Sequence, residues 1–335
     1  MNFYIYYSRA GLGLAKDAKI LEDALLLLGH EVIVNEVPLL NKTFTGRFFE
    51  TLVTILMRCG VLFFYRKLQR LLLGKPDIVS IHLEKIFYWK LFSHRKQILI
   101  PNQEWFNPRY FSLLDCIDHV WTKTWFAKDI FSEFKSKVDR IGFCSNVDSH
   151  CWVEKSANYF FSRVGLSRFR GADKLVEVWR LHPEWPILKL VIDVSCRPEN
   201  PPQNVEYIDI FSSAEEYTAC ASSALFHIYA TETEGFGHSI VEAMGYGSVV
   251  LVTDAPPMNE IANSECALLI GASYSGQKWF SPRFSVEVSA LESAVDCALQ
   301  LSSEKIQQLT GNAQLRPTAL KQDFYNNLAI AIKKL

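Results

Sequence analysis

The chain has 335 residues, of which 49% are hydrophobic and 21% are charged, enough apolar side chain for two cores and too little charge for a disordered protein. Lys and Arg total 35 against 36 for Asp and Glu, so the net charge of -1 excludes a general electrostatic attraction to nucleic acid. We therefore expect two domains of about 150 residues each, with any anion-binding site confined to a local cluster.

The cysteines and the first residues give expectations about compartment. The eight cysteines are scattered, with no CxxC pair and no histidines at zinc spacing, so reduced thiols explain them better than a metal site. The opening MNFYIYY lacks a basic region and a cleavage site, and it predicts a first strand in place of a signal peptide. We expect a cytoplasmic protein without a bound metal.

Apolar runs of strand length alternate with amphipathic stretches in the first half, the pattern of βα units around a parallel sheet. The predicted strands are 3–7, 31–36, 77–82, 97–101, 118–121 and 138–143, and the predicted helices are 14–29, 47–73 and 124–135. His82 ends one of these strands, at the edge where such sheets bind ligands. It either lines a ligand cleft or is a buried histidine with satisfied hydrogen bonds.

A basic and apolar segment, 47–75, is the part of the chain that could contact a membrane. It is rich in Phe and Leu and carries Arg58, Arg66, Lys67 and Arg70. Because Arg58 and Gly60 interrupt it, the segment falls short of the ~20 continuous apolar residues of a spanning helix. Two interpretations stay open: an amphipathic surface for peripheral contact with anionic lipid, and an ordinary core helix with solvated basic residues.

The alternation of strands and helices restarts in the second half. The predicted strands are 158–165, 187–192, 225–229 and 248–252, and the predicted helices are 172–181, 213–223, 238–246 and 318–335. We place the boundary between the halves at 147–154, which gives Rossmann-like domains over 1–150 and 151–317.

The strongest signal for a ligand site is the segment 233–247, TEGFGHSIVEAMGYG. A predicted strand leads through Gly235 and Gly237 into a helix start, where free N–H groups and the helix dipole suit a diphosphate. Glu234 in the turn and Glu242 in the helix can face one cleft and accept hydrogen bonds from sugar and ribose hydroxyls. From the glycine spacing alone, a plain turn with solvated glutamates explains the segment equally well.

The order and spacing of Glu234, the glycines and Glu242 resemble the E-x7-E signature of retaining GT-B glycosyltransferases, particularly family 4. The resemblance implies an α/β fold of two Rossmann-like domains facing across a cleft, with the helix 318–335 crossing back to the N-terminal domain. It places Glu234 beside the donor sugar and Glu242 on the ribose. The backbone amides that would hold sugar and phosphate oxygens belong to Gly235, Phe236, Gly237, His238 and Ser239.

A second stretch, 164–179, resembles the first strand, basic loop and helix of the family's donor domain. In that family an arginine and a lysine contact the diphosphate, because charge developing on the leaving group needs fixed cations. Here Leu166 replaces the arginine and Arg170 replaces the lysine. We assign the phosphate role first to Arg170 and second to Arg168, with Ser167 as a hydroxyl donor. Solvated surface arginines are the alternative.

The first half resembles the family more weakly. Gly13 would let the first helix approach the cleft, or it belongs to an ordinary strand-to-helix turn. Where family members often carry a histidine after the fourth strand, this chain has PNQEW at 101–105. Glu104, Asn102 and His82 are the acceptor-side candidates, with a surface carboxylate as the alternative interpretation of Glu104.

The resemblance implies a metal-independent, retaining transfer of a sugar from a nucleotide-diphosphate sugar to a glycan or lipid-linked acceptor, in polysaccharide or glycan biosynthesis. The leaving diphosphate would help to deprotonate the acceptor, and the nucleotide sugar is a co-substrate with no separate cofactor. Two alternatives stay open: epimerisation of a nucleotide sugar on the same fold, and a donor-binding but inactive partner subunit.

Overall fold

The computed structural model describes residues 1–8, 12–38, 51–52, 55–56, 64, 68, 78–91, 93–147, 153–209 and 213–335. The chain divides into two compact units. Unit 1 comprises Met1–Gly142, Lys278–Ser281 and Phe324–Leu335, and unit 2 comprises Phe143–Gln277 and Pro282–Asp323.

Unit 1 is built on a six-stranded parallel sheet. Its strands are β1 (Asn2–Tyr7), β2 (Glu31–Glu36), β3 (Ile78–Glu84), β4 (Lys96–Pro101), β5 (His119–Thr122) and β6 (Val138–Arg140), in the order β2-β1-β3-β4-β5-β6. Its helices include α1 (Leu12–Leu27) and α2 (Trp125–Ser132), with 3-10 helices at Tyr88–Lys90 and Pro108–Cys116. All six strands predicted in this half are confirmed, although the last ends at Arg140 and is shorter than predicted.

The centre of this sheet is buried on both faces, as expected of parallel strands covered by helices. In β3 the five residues between Ile78 and Glu84 are all buried. Polar residues inside such a sheet need partners, and the His82 Nε2 atom lies 2.7 Å from the Gln97 Oε1 atom of β4.

The helix predicted at 47–73 and the four basic residues of that segment lie outside the described residues, apart from a few isolated positions. Among the helices that the structure describes, none has the length and apolar character needed to cross a membrane.

Unit 2 is built on a second six-stranded parallel sheet, in the order β12-β11-β10-β7-β8-β9. The strands are β7 (Ser156–Gly165), β8 (Ile187–Ile192), β9 (Val205–Ile208), β10 (Ala224–Tyr229), β11 (Val249–Thr253) and β12 (Leu268–Ile270). A two-stranded ribbon of β13 (Ala272–Lys278) and β14 (Ser281–Val286) follows in the chain, and its residues Lys278 and Ser281 belong to unit 1. The helices are α3 (Ala172–Leu181), α4 (Ala214–Ser223), α5 (His238–Gly245), α6 (Met258–Ile261), α7 (Val288–Leu299) and α8 (Ser303–Lys333). The two parallel six-stranded sheets confirm the predicted α/β class.

The C-terminal helix is much longer than predicted. Helix α8 begins at Ser303, where the sequence predicted a start at 318, and its residues from Phe324 onward belong to unit 1. Gly311 and Pro317 are unfavourable residues in a helix interior, yet both lie within α8. Buried Leu309 and Ala313 fall four residues apart on one helix face, and packing of that face outweighs the two unfavourable residues.

Candidate functional site

The glycine segment forms the predicted strand, turn and helix. The chain leaves β10 at Tyr229, passes through the turn and enters α5 at His238. Gly237 caps this helix with a φ of 88°, a left-handed conformation that favours glycine. A Cβ atom added at Gly237 would also lie 3.2 Å from side-chain carbons of Ile240 and Ile261. The glycine is therefore needed by the turn itself.

A second glycine brings the basic loop against the end of β10. Gly171 separates the 3-10 turn Arg168–Arg170 from α3 and has a φ of 73°. A Cβ atom at this position would lie 2.2 Å from the carbonyl oxygen of Ala230. The two loops are also joined by a 2.9 Å hydrogen bond from the Glu232 amide to the Phe169 carbonyl. Only glycine allows this close approach.

The approach places Arg170, the first candidate for the phosphate role, against Glu234, the candidate for contact with the donor sugar. The Arg170 Nη1 atom pairs with the Glu234 Oε1 atom, and the two side chains are 26% and 3% exposed, respectively. A carboxylate buried to this extent requires a charged or hydrogen-bonding partner. Because the arginine stays partly exposed, it can contact Glu234 and a soluble anion at the same time.

The second glutamate of the motif has an arginine neighbour that the sequence analysis missed. Arg163, near the end of β7, places its Nη1 atom 3.9 Å from the Glu242 Oε2 atom. The same nitrogen donates to the Tyr217 hydroxyl at 3.3 Å, and the guanidinium lies 4.8 Å from the centroid of the Tyr217 ring. Burial raises the pKa of Tyr217 to about 12, so its hydroxyl stays protonated at neutral pH. The available signal was an arginine close to the aromatic run Tyr159–Phe161 of a predicted strand.

The remaining residues of the turn have side chains engaged in local contacts. Phe236 is buried and packs 5.5 Å from Phe143 between ring centroids. The His238 Nδ1 atom lies 2.9 Å from the Ser145 hydroxyl. Ser239 is also buried, so the role predicted for this stretch depends on backbone amides.

Arg168 and Ser167 lie in different surroundings from Arg170. The Ser167 hydroxyl accepts a 3.3 Å hydrogen bond from the Phe169 amide and so caps the 3-10 turn. Arg168 is exposed and lines a surface pocket that also includes Ser167 and Arg197. Arg168, which the sequence analysis ranked second to Arg170 for the phosphate role, thus lines this pocket, whereas Arg170 pairs with Glu234.

The acceptor-side candidates lie in unit 1, in unequal environments. His82 is fully buried, and its Nδ1 atom accepts from the Phe87 amide at 3.1 Å, which leaves Nε2 to donate to Gln97. It is a core histidine and does not line a surface, because one ring nitrogen contacts Gln97 of β4 and the other accepts from the Phe87 amide beyond β3.

Gly13, Glu104 and Asn102 occupy three further positions in this unit. Gly13 lies in the first turn of α1, where an added Cβ atom would meet nothing within 4 Å. Glu104 is 7% exposed and is therefore not the surface carboxylate of the alternative interpretation. Asn102 follows β4, and its Oδ1 atom accepts from the Lys123 ammonium at 2.9 Å.

Comparison with known proteins gives a fold. Neither a protein-family model nor a curated protein sequence matches the chain. A glycosyltransferase from Rickettsia africae ESF-5 is similar in structure, with a TM-score of 0.67 and 14% identity over 99% of this chain and 98% of the other. Sucrose-phosphate synthase from Thermosynechococcus elongatus gives a TM-score of 0.67 and 14% identity over 100% and 98% of the two chains.

A third similar structure is an α,α-trehalose-phosphate synthase (UDP-forming) from Burkholderia vietnamiensis, with a TM-score of 0.63 and 10% identity over 100% of both chains. The full-length match of both sheets to such proteins establishes the GT-B fold and confirms the predicted fold class.

Proposed function

We propose that the chain is a retaining glycosyltransferase, family 4-like, that moves a sugar from a nucleotide-diphosphate sugar to a glycan or lipid-linked acceptor. One observation carries the proposal: Arg170 and Glu234 meet at the end of β10, beside the glycine turn that begins α5. This turn combines helix N–H groups and a partly exposed cation, which together suit an anionic ligand. A similar structure named as a UDP-forming synthase supports a nucleoside diphosphate as that ligand.

In this proposal each group of unit 2 has a distinct role. Glu234 contacts hydroxyl groups of the donor sugar, and Glu242 contacts the ribose. The amides of residues 235–239 hold sugar and phosphate oxygens. Arg170 binds the diphosphate, because it is the arginine held at the turn, and Arg168 with Ser167 contributes from the neighbouring pocket.

The reaction follows from these roles. The bond between the anomeric carbon and the diphosphate oxygen breaks, and Arg170 stabilises the negative charge that develops on the leaving group. The acceptor oxygen forms its bond to the anomeric carbon on the same face, and its proton passes to a diphosphate oxygen. The positioned guanidinium and amides supply the charge stabilisation, so this scheme requires neither a strong protein base nor a metal ion.

A thermal-shift screen with UDP, GDP, ADP and their sugars tests donor binding directly. A ligand at ~100 times its dissociation constant stabilises the folded chain by ~2.7 kcal/mol, and we expect this for one nucleoside diphosphate. If none of the nucleotides raises the unfolding temperature, the proposal fails. Analysis of products then separates transfer from epimerisation, which needs no acceptor, and from a non-catalytic subunit, which gives no product.

The segment 47–75 supports a peripheral contact with a membrane that carries a lipid-linked acceptor. Its basic residues favour anionic lipid, so we expect the full chain to sediment with vesicles containing phosphatidylserine at low salt and to be released as salt is raised. A chain that stays in the supernatant at low salt contradicts this part of the proposal, and leaves donor binding unaffected.

A further inference from the structure

Four polar side chains of unit 1 gather where neighbouring parallel strands end: Asp17, Glu84, Asn102 and Lys123. Glu84 is the last residue of β3 and pairs in register with Pro101, so Asn102 follows directly at the end of β4. Lys123 follows β5, and Asp17 lies on α1, the helix after β1. This carboxyl edge is where α/β sheets bind ligands.

The Lys123 ammonium is at the centre of the group. Its Nζ atom lies 2.5 Å from the Asp17 Oδ2 atom and 2.9 Å from the Asn102 Oδ1 atom. The Lys123 and Asp17 side chains are only 3% and 4% exposed, so this ion pair is part of the interior. Because the Asn102 oxygen accepts from Lys123, the Asn102 amide nitrogen is left to donate elsewhere. The Lys123 ammonium thereby holds the Asn102 oxygen and leaves the Asn102 Nδ2 atom as the end of the amide that faces other groups.

The pKa of the Glu84 carboxyl depends on these neighbouring groups. Burial raises the pKa of its carboxyl to about 7, the charge of Asp17 adds to the rise, and Lys85, Lys123 and hydrogen bonding from Asn102 limit it. Unlike Lys123 and Asp17, Glu84 is only partly buried and so remains reachable from solvent. Its φ of 68° turns the backbone into the left-handed region, away from a continuing strand.

A carboxylate in this position has accepting capacity to spare. Two carboxylate oxygens offer about four lone-pair sites, and Asn102 is an uncharged donor, while Lys123 already pairs with Asp17. A ligand that donates several hydrogen bonds without carrying charge complements such a group. Sugar hydroxyl groups have this chemistry.

We propose that Glu84 binds a hydroxyl group of the sugar that accepts the transferred residue, and that Asn102 and the Lys123–Asp17 ion pair are positioning residues for its carboxylate. The proposal rests on the glycosyltransferase function and names the group of unit 1 that recognises the acceptor. Glu84 replaces Glu104 in this role, because Glu104 is 7% exposed and less accessible. The acceptor is a sugar, either free or attached to a lipid.

Carboxyl ¹³C NMR of the full chain tests the contact. The Glu84 resonance is assigned by its loss in Glu84→Gln, and the protein is titrated with methyl and octyl glycosides of glucose, galactose, mannose and N-acetylglucosamine. We expect at least one sugar to shift this resonance. A stronger effect of the octyl series indicates a lipid-linked acceptor, and an equal effect indicates a free glycan. If no glycoside in either series shifts the resonance, the assignment of Glu84 is overturned.

Variants separate a direct contact from a structural role. In Glu84→Gln we expect glycoside affinity to fall by about tenfold or more, the loss of one hydrogen bond to a charged group. Glu36→Gln is the matched control, because Glu36 is an exposed glutamate at the carboxyl end of β2 in the same sheet, and it should leave affinity unchanged. Equal losses in both variants contradict the proposal.

The positioning role predicts a pH effect. The carboxylate form accepts hydrogen bonds, so glycoside affinity should fall as the pH is lowered through about 7, the pKa of Glu84. Asn102→Ala removes a group that lowers this pKa, so the midpoint should move upward and a higher pH should restore binding. An unchanged midpoint overturns the role of Asn102.

Stabilisation by nucleotides is measured on the same samples. If nucleotide stabilisation persists while every glycoside test fails, only the Glu84 assignment is wrong. If nucleotide stabilisation is absent, the transferase proposal itself fails.

Discussion

Arg170 and Glu234 form an ion pair in which the carboxylate is almost completely buried and the guanidinium is about a quarter exposed, at 3% and 26%, respectively. Removing the arginine takes a paired cation away from a buried carboxylate, which costs more than the pair itself contributes. Removing the carboxylate instead frees a partly exposed cation that water can solvate. The two residues should therefore respond differently to substitution even though they contact each other.

For Arg170→Met we expect a loss of nucleotide-dependent stabilisation and of sugar transfer by about 100-fold or more, because the leaving diphosphate loses its fixed cation. Glu234→Gln keeps the shape of the side chain and removes its charge, so nucleotide binding should persist while transfer falls. Nucleotide thermal shifts and initial transfer rates measure the two effects. Arg180→Met is the control, since Arg180 is exposed and donates to the Asn200 carbonyl. If Arg170→Met binds nucleotide as the unaltered chain does, the phosphate role of Arg170 is wrong.

Gly171 and Gly165 provide a matched test of the close approach between the basic loop and β10. Their φ angles are similar, 73° and 69°, but a Cβ atom at Gly171 would lie 2.2 Å from the Ala230 oxygen, whereas one at Gly165 would meet nothing within 4 Å. Gly165→Ala should lower the free energy of unfolding by about 1–2 kcal/mol, the cost of the left-handed conformation. Gly171→Ala should cost about 1–3 kcal/mol more through steric overlap, or displace Arg170 from Glu234.

Denaturant titration compares the two alanine variants, and nucleotide binding shows whether the loop has moved. Equal destabilisation with unchanged binding in both variants would show that the 2.2 Å contact with Ala230 does not constrain the loop.

The sequence predicted those parts of the fold whose ends are marked by local chemistry. Strand β8 was predicted with its observed bounds, because Pro186 and Asp193 flank a run that is apolar except for Lys189. The ribbon β13–β14 was missed because its first strand has largely exposed, polar residues and no clear alternation. The start of α8 was missed because its packing partners, and not its propensity, determine it.

In the candidate site, too, residues marked by local sequence could be predicted and residues brought together by packing could not. The glycine turn could be located from the sequence because it imposes its φ angles on a short stretch of chain, and the roles proposed for both glutamates came from the family resemblance. Arg163 could not be found in this way, since β7 and α5 are distant in sequence and only the parallel pairing of β7 with β10 brings their ends together. Glu84 was missed for a similar reason, as the neighbouring β4 and β5 supply the groups around it.

Arg163 should act on nucleotide affinity through Glu242. Arg163→Met removes the cation 3.9 Å from the Glu242 carboxylate and the donor to Tyr217. The carboxylate then loses a neighbour that orients it for the ribose contact proposed above. We expect nucleoside diphosphate affinity to fall by about tenfold, with a smaller effect on the free diphosphate ion, which has no ribose. Isothermal titration with the nucleoside diphosphate and with free diphosphate shows whether the loss of affinity depends on the ribose. An equal loss for nucleotide and diphosphate would show that Arg163 acts on the phosphates instead.

His227 should make the stability of the chain depend on pH. Burial lowers the pKa of His227 to about 3 in the folded chain, compared with roughly 6.5 for an unperturbed histidine. Between these values the unfolded chain binds a proton that the folded chain does not, so the free energy of unfolding falls as the pH is lowered from about 6.5 toward 3. For His227→Gln we expect this slope to decrease by up to about 1.4 kcal/mol per pH unit, measured by denaturant titration across the window.

His182 provides the control of opposite sign for His227. Burial tends to lower the pKa of His182, but hydrogen bonds with Glu292 and Glu184 outweigh it, and the pKa is raised. The folded chain therefore holds this proton more tightly than the unfolded chain, a stabilisation present at low pH and lost as the pH rises through the raised pKa. The His182 contribution changes only between roughly pH 6.5 and its raised pKa. His182→Gln should therefore remove a gain of stability on acidification above roughly pH 6.5, whereas His227→Gln should reduce the loss of stability below roughly pH 6.5. A slope below roughly pH 6.5 that stays the same in His227→Gln would show that the buried ring of His227 accepts a proton without unfolding.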